Sequence, residues 1–185
     1  MRLTTPRLIL RDIEPKDAKS LIRNINNLNI TKWLLVVPYP YTMKDAKWYI
    51  NHCKEKRKKS PRESYSFNIQ IKGQQGVVGG IGFHKVDRKQ KTAEVGYWLS
   101  QDYWRQGYMR EAANRLLDYG FNTLRLKTIT IGAFARNVPS NSLAQRLGGK
   151  YDHRKGPVEC KATGKRHMEN VYVVTPASWR RSLRK

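Results

Sequence analysis

The sequence predicts an α+β (α/β/α) fold in one domain spanning residues 1–185. Ala93, Val95, Tyr97 and Leu99 alternate with Glu94, Gly96, Trp98 and Ser100, the period of two of a strand with one buried face. Directly after it, Ala112, Ala113, Leu116, Leu117, Phe121 and Leu124 recur at three- and four-residue spacing, which is a helix with one apolar stripe. Upstream, the runs 64–71 and 76–83 flank the turn Lys72-Gly-Gln-Gln-Gly76, the pattern of an antiparallel hairpin. No Pro/Gly/Ser-rich linker separates these signals, and 185 residues suffice for one sizeable core.

The remaining elements follow in order. The stretch 7–13 is a first strand, and Glu14, Pro15 and Asp17 start a helix whose apolar face is Ala18, Leu21, Ile22 and Ile25. From Ile30 to Tyr41 the chain is aromatic and broken by proline, a loop laid on the core. Thr42, with Asp45 three residues on, caps a second helix lined by Ala46, Tyr49, Ile50 and Cys53. That helix closes in Lys54-Glu-Lys-Arg-Lys-Lys59, a basic last turn that complements its dipole. Gly79, Gly80 and Gly82 inside a strand signal a bulge or a close backbone approach. A turn over 87–91 leads into the strand at 93–100, and Ile129, Ile131 and Ala133 mark another strand over 127–134. Asn137 and Ser140 then open a short helix that Gly148 and Gly149 stop. Two strands, 151–157 and 164–174, end the sheet, and Trp179 caps the core.

Charge is the unusual quantity. Lys and Arg number 37 against 14 Asp and Glu, a formal charge of +23. A field of that sign favours polyanions such as RNA and opposes free polycations, although a basic surface also serves solubility alone. No apolar run is long enough to span a membrane, and no signal-peptide pattern precedes the first strand, so the expectation is a cytoplasmic protein with no membrane partner. Cys53 and Cys160 lack metal-ligand spacing and the four histidines are scattered; no metal is expected.

The strand at 93–100 reaches its helix through a short polar turn. The first backbone N–H groups of a helix have no intrahelical partners, and with the helix dipole they make a seat for an anion such as a pyrophosphate. Gly107 lets the chain come close to such a ligand. Every strand-to-helix crossover has a turn of this kind, so the residues around it decide. Trp104-Arg-Gln-Gly-Tyr-Met-Arg-Glu-Ala112, preceded by Ala93-Glu-Val-Gly-Tyr-Trp-Leu99, resembles the signature of the GNAT acetyltransferases of the RimJ/RimL type, which acetylate protein N-termini. The opening Thr4 to Asp17 and the run Asn137 to Gly149 resemble the same family, so the likeness covers nearly the whole chain. Three positions depart from it: Arg105 replaces a common Gly, Met109 a Gly or Ala, and Gly149 a Phe. A left-handed Arg105 would cost about 1–2 kcal/mol.

The resemblance implies a mixed, mostly antiparallel sheet of six to seven strands, splayed at 93–100, with about four helices. It implies acetyl-CoA as cosubstrate. Its pyrophosphate would lie on the turn formed by Trp104, Arg105, Gln106, Gly107, Tyr108, Met109 and Arg110, and its pantetheine along the backbone of Trp98, Leu99 and Ser100. Asn137 and Asn141 would hold pantetheine or a water, and Arg146 would reach a phosphate. Many members protonate the leaving thiolate with a Tyr that is Ala144 here, so the resemblance passes that role to Ser140. Trp33, Tyr39 and Tyr41 would wall the acceptor groove.

Acetyl transfer to an amine needs a neutral amine, a place for the oxyanion and a proton for the thiolate. A protein α-amino group, with a pKa of about 7.7–8.0, needs less help from a base than a Lys near 10.4. Glu94 is the carboxylate placed to act as that base, directly or through water; alternatively it is a solvent-facing strand residue. The expected acceptor is a protein N-terminus, of a ribosomal protein in the type case, with ribosome or RNA contact through the basic surface. The alternatives are a GNAT-fold RNA- or ribosome-binding module without turnover, and a small-amine acetyltransferase, which the charge disfavours. The chain is expected to be a monomer or homodimer.

Overall fold

The computed structural model describes residues 1–184. Its strands are β1 Arg2–Thr4, β2 Leu8–Arg11, β3 Tyr65–Ile71, β4 Gly79–Asp87, β5 Thr92–Leu99, β6 Thr128–Phe134, β7 Lys150–Glu159 and β8 Arg166–Val174. Its α-helices are α1 Ala18–Ile25, α2 Leu28–Thr31, α3 Met43–Lys58, α4 Tyr108–Asp118, α5 Val138–Arg146 and α6 Pro176–Ser182. The strands form one eight-stranded sheet in the order β1-β2-β3-β4-β5-β6-β8-β7. Only β5 and β6 are parallel; every other neighbouring pair is antiparallel.

Eight strands and six helices exceed the expected six to seven and about four. The extra strand is β1, three residues whose pairing with β2 is visible only once the chain has folded back. The extra helices are the single-turn α2 and the C-terminal α6. The four-residue α2 is too short to show an amphipathic period. In α6, Thr175 accepts from the Ser178 N–H, Pro176 stands in the first turn, and Trp179 is buried.

The two faces of the sheet follow from the alternation along its strands. Tyr97 packs against the core of the face covered by α4, α5 and α6, where buried Leu116, Leu117, Leu147 and Trp179 meet Phe67, Phe83 and Ile131. Trp179 donates its indole N–H to Asn114 and lies 5.6 Å from the Phe121 ring, the core cap foreseen for it. On the opposite face α1 and α3 bury Leu21, Ile25, Ala46 and Ile50, with Trp98 packed against them. Arg11 grips buried Asp17 through two hydrogen bonds of 2.7 Å and ties β2 to the start of α1. Burial alone would raise that carboxylate, but the Arg11 guanidinium and the Glu14 N–H hold it below the usual range.

The glycines of β4 answer the choice between bulge and close approach. A Cβ at Gly80 would come within 2.6 Å of the Trp98 indole nitrogen, and one at Gly82 within 2.5 Å of the Tyr65 carbonyl. Close approach is therefore the reason for glycine, and the register break in β4 lies later, between His84 and Asp87.

One feature of the sheet creates the site. The pairing of β5 with β6 runs only from Thr92–Thr128 to Val95–Ile131, although β5 continues to Leu99 and β6 to Phe134. Beyond Val95 the two strands part, and the sheet forks.

Candidate active site

The fork leaves backbone groups without a strand partner. Ser100 N–H donates to the carbonyl of Val78, the residue just before β4, so with antiparallel alternation Trp98 and Gly96 also direct their N–H groups toward β4. Tyr97 and Leu99 then face the fork. Of the three residues 98–100 expected along pantetheine, Trp98 and Ser100 turn their N–H groups to the β4 side, and Leu99 is the one whose N–H faces the gap. The Leu99 carbonyl accepts the Trp104 indole N–H at 2.8 Å, which fixes the turn to the end of the strand.

The turn itself has the backbone of an anion seat. Gly107 is the N-cap of α4 at φ +80°, and a Cβ there would meet only the Arg7 guanidinium, at 3.4 Å. Arg105 stands at φ +61°, the strained conformation the sequence raised for it. The first N–H groups of α4, from Tyr108 to Arg110, have no carbonyl partner within the helix. Tyr108 and Met109 turn their side chains against the core, while Arg105, Gln106 and Arg110 are exposed.

A carboxylate in the first turn, Glu111, would compete with an anion for this seat, but it is drawn to the other side. It accepts from Thr5 Oγ1 at 2.5 Å, from the Arg7 N–H at 2.9 Å and from the Arg7 guanidinium at 2.6 Å. Burial would raise its pKa; these donors hold it below the usual carboxylate range. Arg7 also donates to the Gln106 carbonyl and lies over the Tyr108 ring, so the N-terminal segment clamps the turn.

On the α5 side the fork meets a pair of hydroxyls. Ser140 Oγ lies 2.8 Å from the Tyr97 hydroxyl. Burial pushes the Tyr97 phenol up to about 12, with the Ser140 hydrogen bond working against that rise, so Tyr97 keeps its proton at neutral pH. Ser140 is not the helix cap: the Asn137 side chain takes that part by accepting the Ser140 N–H. Asn141 braces the fold, donating to the Phe134 and Asn137 carbonyls and accepting from Asn170 and Tyr172. Those bonds occupy its amide, leaving Asn137 as the nearer of the two to a ligand-holding role. Arg146, in the last turn of α5, is exposed on the cavity wall.

A cavity of about 2500 Å³ passes through the fork, from Gly107 and Tyr108 past Ser140 to Trp48 and Trp33 on the α1–α3 face. Ligand pockets are typically about 300–1,000 Å³, so there is room for a cofactor and an acceptor together. Of the three aromatics expected to wall an acceptor groove, Trp33 and Tyr41 line this cavity; Tyr39, 45% exposed, does not. Glu94 also lines it, 40% exposed at its side chain and ion-paired with Lys85 at 3.0 Å. Among the described residues no group of three or more His, Cys, Asp or Glu is arranged to hold a metal ion, and no helix is long and apolar enough to cross a membrane.

The Acetyltransferase (GNAT) domain family matches residues 7–150, the segment from the Arg7 clamp through the fork and α5 to the first residue of β7. The chain belongs to the GNAT acetyltransferase family. It is 31% identical over 145 residues to the uncharacterized N-acetyltransferase p20 of Bacillus licheniformis, covering 78% of this chain and 80% of that one. It is 29% identical over 87 residues to the ribosomal-protein-serine acetyltransferase of Escherichia coli K12, covering 47% of this chain and 49% of that protein. RimJ of Mycobacterium smegmatis in complex with CoA-disulfide shares its fold, with a TM-score of 0.83 at 17% identity over 100% of this chain and 92% of that one. This GNAT protein is thus an N-acetyltransferase with acetyl-CoA as cosubstrate. The seat at Gly107 has the free amides and the backbone glycine that fit a pyrophosphate. Sequence reading missed Tyr97 as a partner of Ser140, because an alternating tyrosine looks like any core position.

Proposed function

We propose that the acceptor is the α-amino group of a protein N-terminus. The observation that carries this reading is the mainly apolar cavity wall formed by Trp33, Leu34, Val37 and Tyr41, in a cavity whose volume of about 2500 Å³ leaves space for a peptide beside the cofactor. A relative that acts on a ribosomal protein points the same way.

Acetyl-CoA, when bound, supplies an acetyl group activated as a thioester. The amides of residues 107–110, with Arg105 and Arg110 nearby, bind and orient the phosphates. Leu99 and Tyr97 offer backbone groups at the fork. The Ser140 hydroxyl gives its proton to the leaving sulfur, and Tyr97 keeps that hydroxyl oriented and replenished. Deprotonation of the amine belongs to the opposite face, around Glu94.

The basic surface adds a second component: ribosome or RNA docking that brings the acceptor near. The net charge of +23 supports it. Incubating the protein with acetyl-CoA and a Ser-starting peptide tests the main reading by mass spectrometry. Transfer to the peptide supports it; transfer to polyamines or aminoglycosides alone overturns it.

A further inference from the structure

Two glycines stand at the point where the sheet forks, and each is covered by a titratable side chain. Val95 and Ile131 are the last paired residues of β5 and β6, so Gly96 and Gly132 come next on the two prongs. A Cβ at Gly96 would come within 3.0 Å of His84 Nε2. A Cβ at Gly132 would collide with Glu169 Oε1. His84 arrives from β4, where it is the cross-strand partner of Glu94; Glu169 arrives from β8, opposite Phe134. Both line the cavity.

Glu169 is 7% exposed, and a buried carboxylate costs stability unless it is paired. Among the described residues its ionic partner is Lys155, whose Nζ is 3.3 Å from Oε2 and 42% exposed. Oε1 lies over Gly132, the first residue of the β6 prong beyond the last pair with β5. Adjacent strands lie about 4.8 Å apart and these two are diverging, so the carboxylate and the imidazole face each other across roughly 5–10 Å. An ammonium group hydrogen-bonded to both, at about 2.9 Å to each, spans up to about 6 Å, the near end of that range.

We propose that His84 and Glu169 form the seat of the acceptor amine, Glu169 holding the ammonium through Oε1 and His84 Nε2 removing one of its protons. The inference rests on the N-terminal acetylation reading and specifies its acceptor side. The free nitrogen lone pair bonds to the acetyl carbon and the carbon–sulfur bond breaks. The nitrogen's second proton balances the one the sulfur takes from Ser140, and His84 returns its own to solvent. His84 keeps a face open to the cavity, yet the walls around it remove enough water to hold its imidazole below the usual histidine range. Glu94 on β5 pulls it up; Lys85 beside it and His52 and Lys56 on α3 push it down. A neutral imidazole at pH 7 is the state that accepts a proton. Glu94, held by Lys85, then acts on the amine through His84.

The test compares wild type, Glu169→Gln and His84→Gln with one Ser-starting peptide and its desamino analogue. Acetyl-CoA affinity and melting temperature are read alongside. Glu169→Gln should raise the peptide KM at least about tenfold, the cost of about 1.4 kcal/mol, with acetyl-CoA affinity unchanged. Wild type should bind the desamino peptide more weakly than the peptide, and Glu169→Gln should bind the two alike. His84→Gln should lower kcat/KM by about 10² near neutral pH. It should recover as pH rises past the peptide amine's own pKa of about 7.7–8.0. An unchanged KM and undiminished discrimination in Glu169→Gln, or an unchanged acid limb in His84→Gln, would overturn the seat. Wild type that binds acetyl-CoA but acetylates no peptide would instead overturn the N-terminal reading and the seat together.

Discussion

Replacing Ser140 by Ala separates chemistry from architecture. Asn137, not Ser140, caps α5, so the helix start survives the change. What is lost from the fold is the 2.8 Å contact between the Ser140 and Tyr97 hydroxyls, worth about 0.5–1.5 kcal/mol. At about 2–4 °C per kcal/mol for a chain of this size, the melting temperature should fall by only a few degrees. What is lost from catalysis is the proton donor to the leaving sulfur, and general acid catalysis is typically worth about 10²–10⁴ in rate. At 1.36 kcal/mol per tenfold, that is about 2.7–5.4 kcal/mol in the barrier. Turnover, acetyl-CoA affinity and thermal midpoint are measured on one preparation. The account expects a large fall in turnover with affinity nearly constant. Near-normal turnover per folded molecule would refute it and move the proton donor to Tyr97 or elsewhere. Asn137→Ala is the complementary control, with about 0.5–2 kcal/mol of stability lost through the cap.

Gly107→Val should abolish acetyl-CoA binding, because a β-branched residue at φ +80° is strained and would press on the Arg7 guanidinium, distorting the turn whose amides make the anion seat; calorimetric affinity unchanged from wild type would mean the turn is only a helix start. Arg11→Met should destabilise the fold by about 3–5 kcal/mol, since Asp17, 1% exposed at its side chain, would be buried without its partner. In the wild type the Asp17 carboxylate lies below its usual range, so its contribution is fully present above about pH 3.9 and is lost as pH falls through the lower folded value. Denaturant titrations along the acid limb should show that slope shrink in the variant. Binding to ribosomes or RNA should weaken linearly in a log–log salt titration, while acetylation of a short neutral peptide should change little; a flat salt response in binding would reduce the charge to a matter of solubility.

The central part of this fold was legible because its patterns are local. The period change from Tyr97–Leu99 to Ala112–Leu117 and the Gly107 turn lie within one stretch of chain, and the structure places β5, the turn and α4 there. The π-turn at Tyr119–Thr123 was not legible, since Phe121 and Leu124 keep the helical spacing through it. Strand β1 is set by its partner and not by its own three residues. At the site, the turn and its left-handed Gly107 could be read but side-chain partners could not. Asn141 carries a ligand-like pattern, yet β8 comes back to occupy it with Asn170 and Tyr172. His84 and Glu169 are separated by 85 residues and line one cavity only because β4 and β8 flank the two prongs of the fork. Each was an ordinary polar residue in a strand until Gly96 and Gly132 gave it somewhere to lie.

The most direct test of the account is to locate the acetyl group on a product peptide that carries both a free N-terminus and an internal lysine. Fragmentation mass spectrometry after reaction with acetyl-CoA should find it on the α-amino nitrogen, with the lysine unmodified. Acetylation confined to the lysine, or none on the peptide while a small amine is acetylated, would contradict the assignment of the cavity to a protein N-terminus.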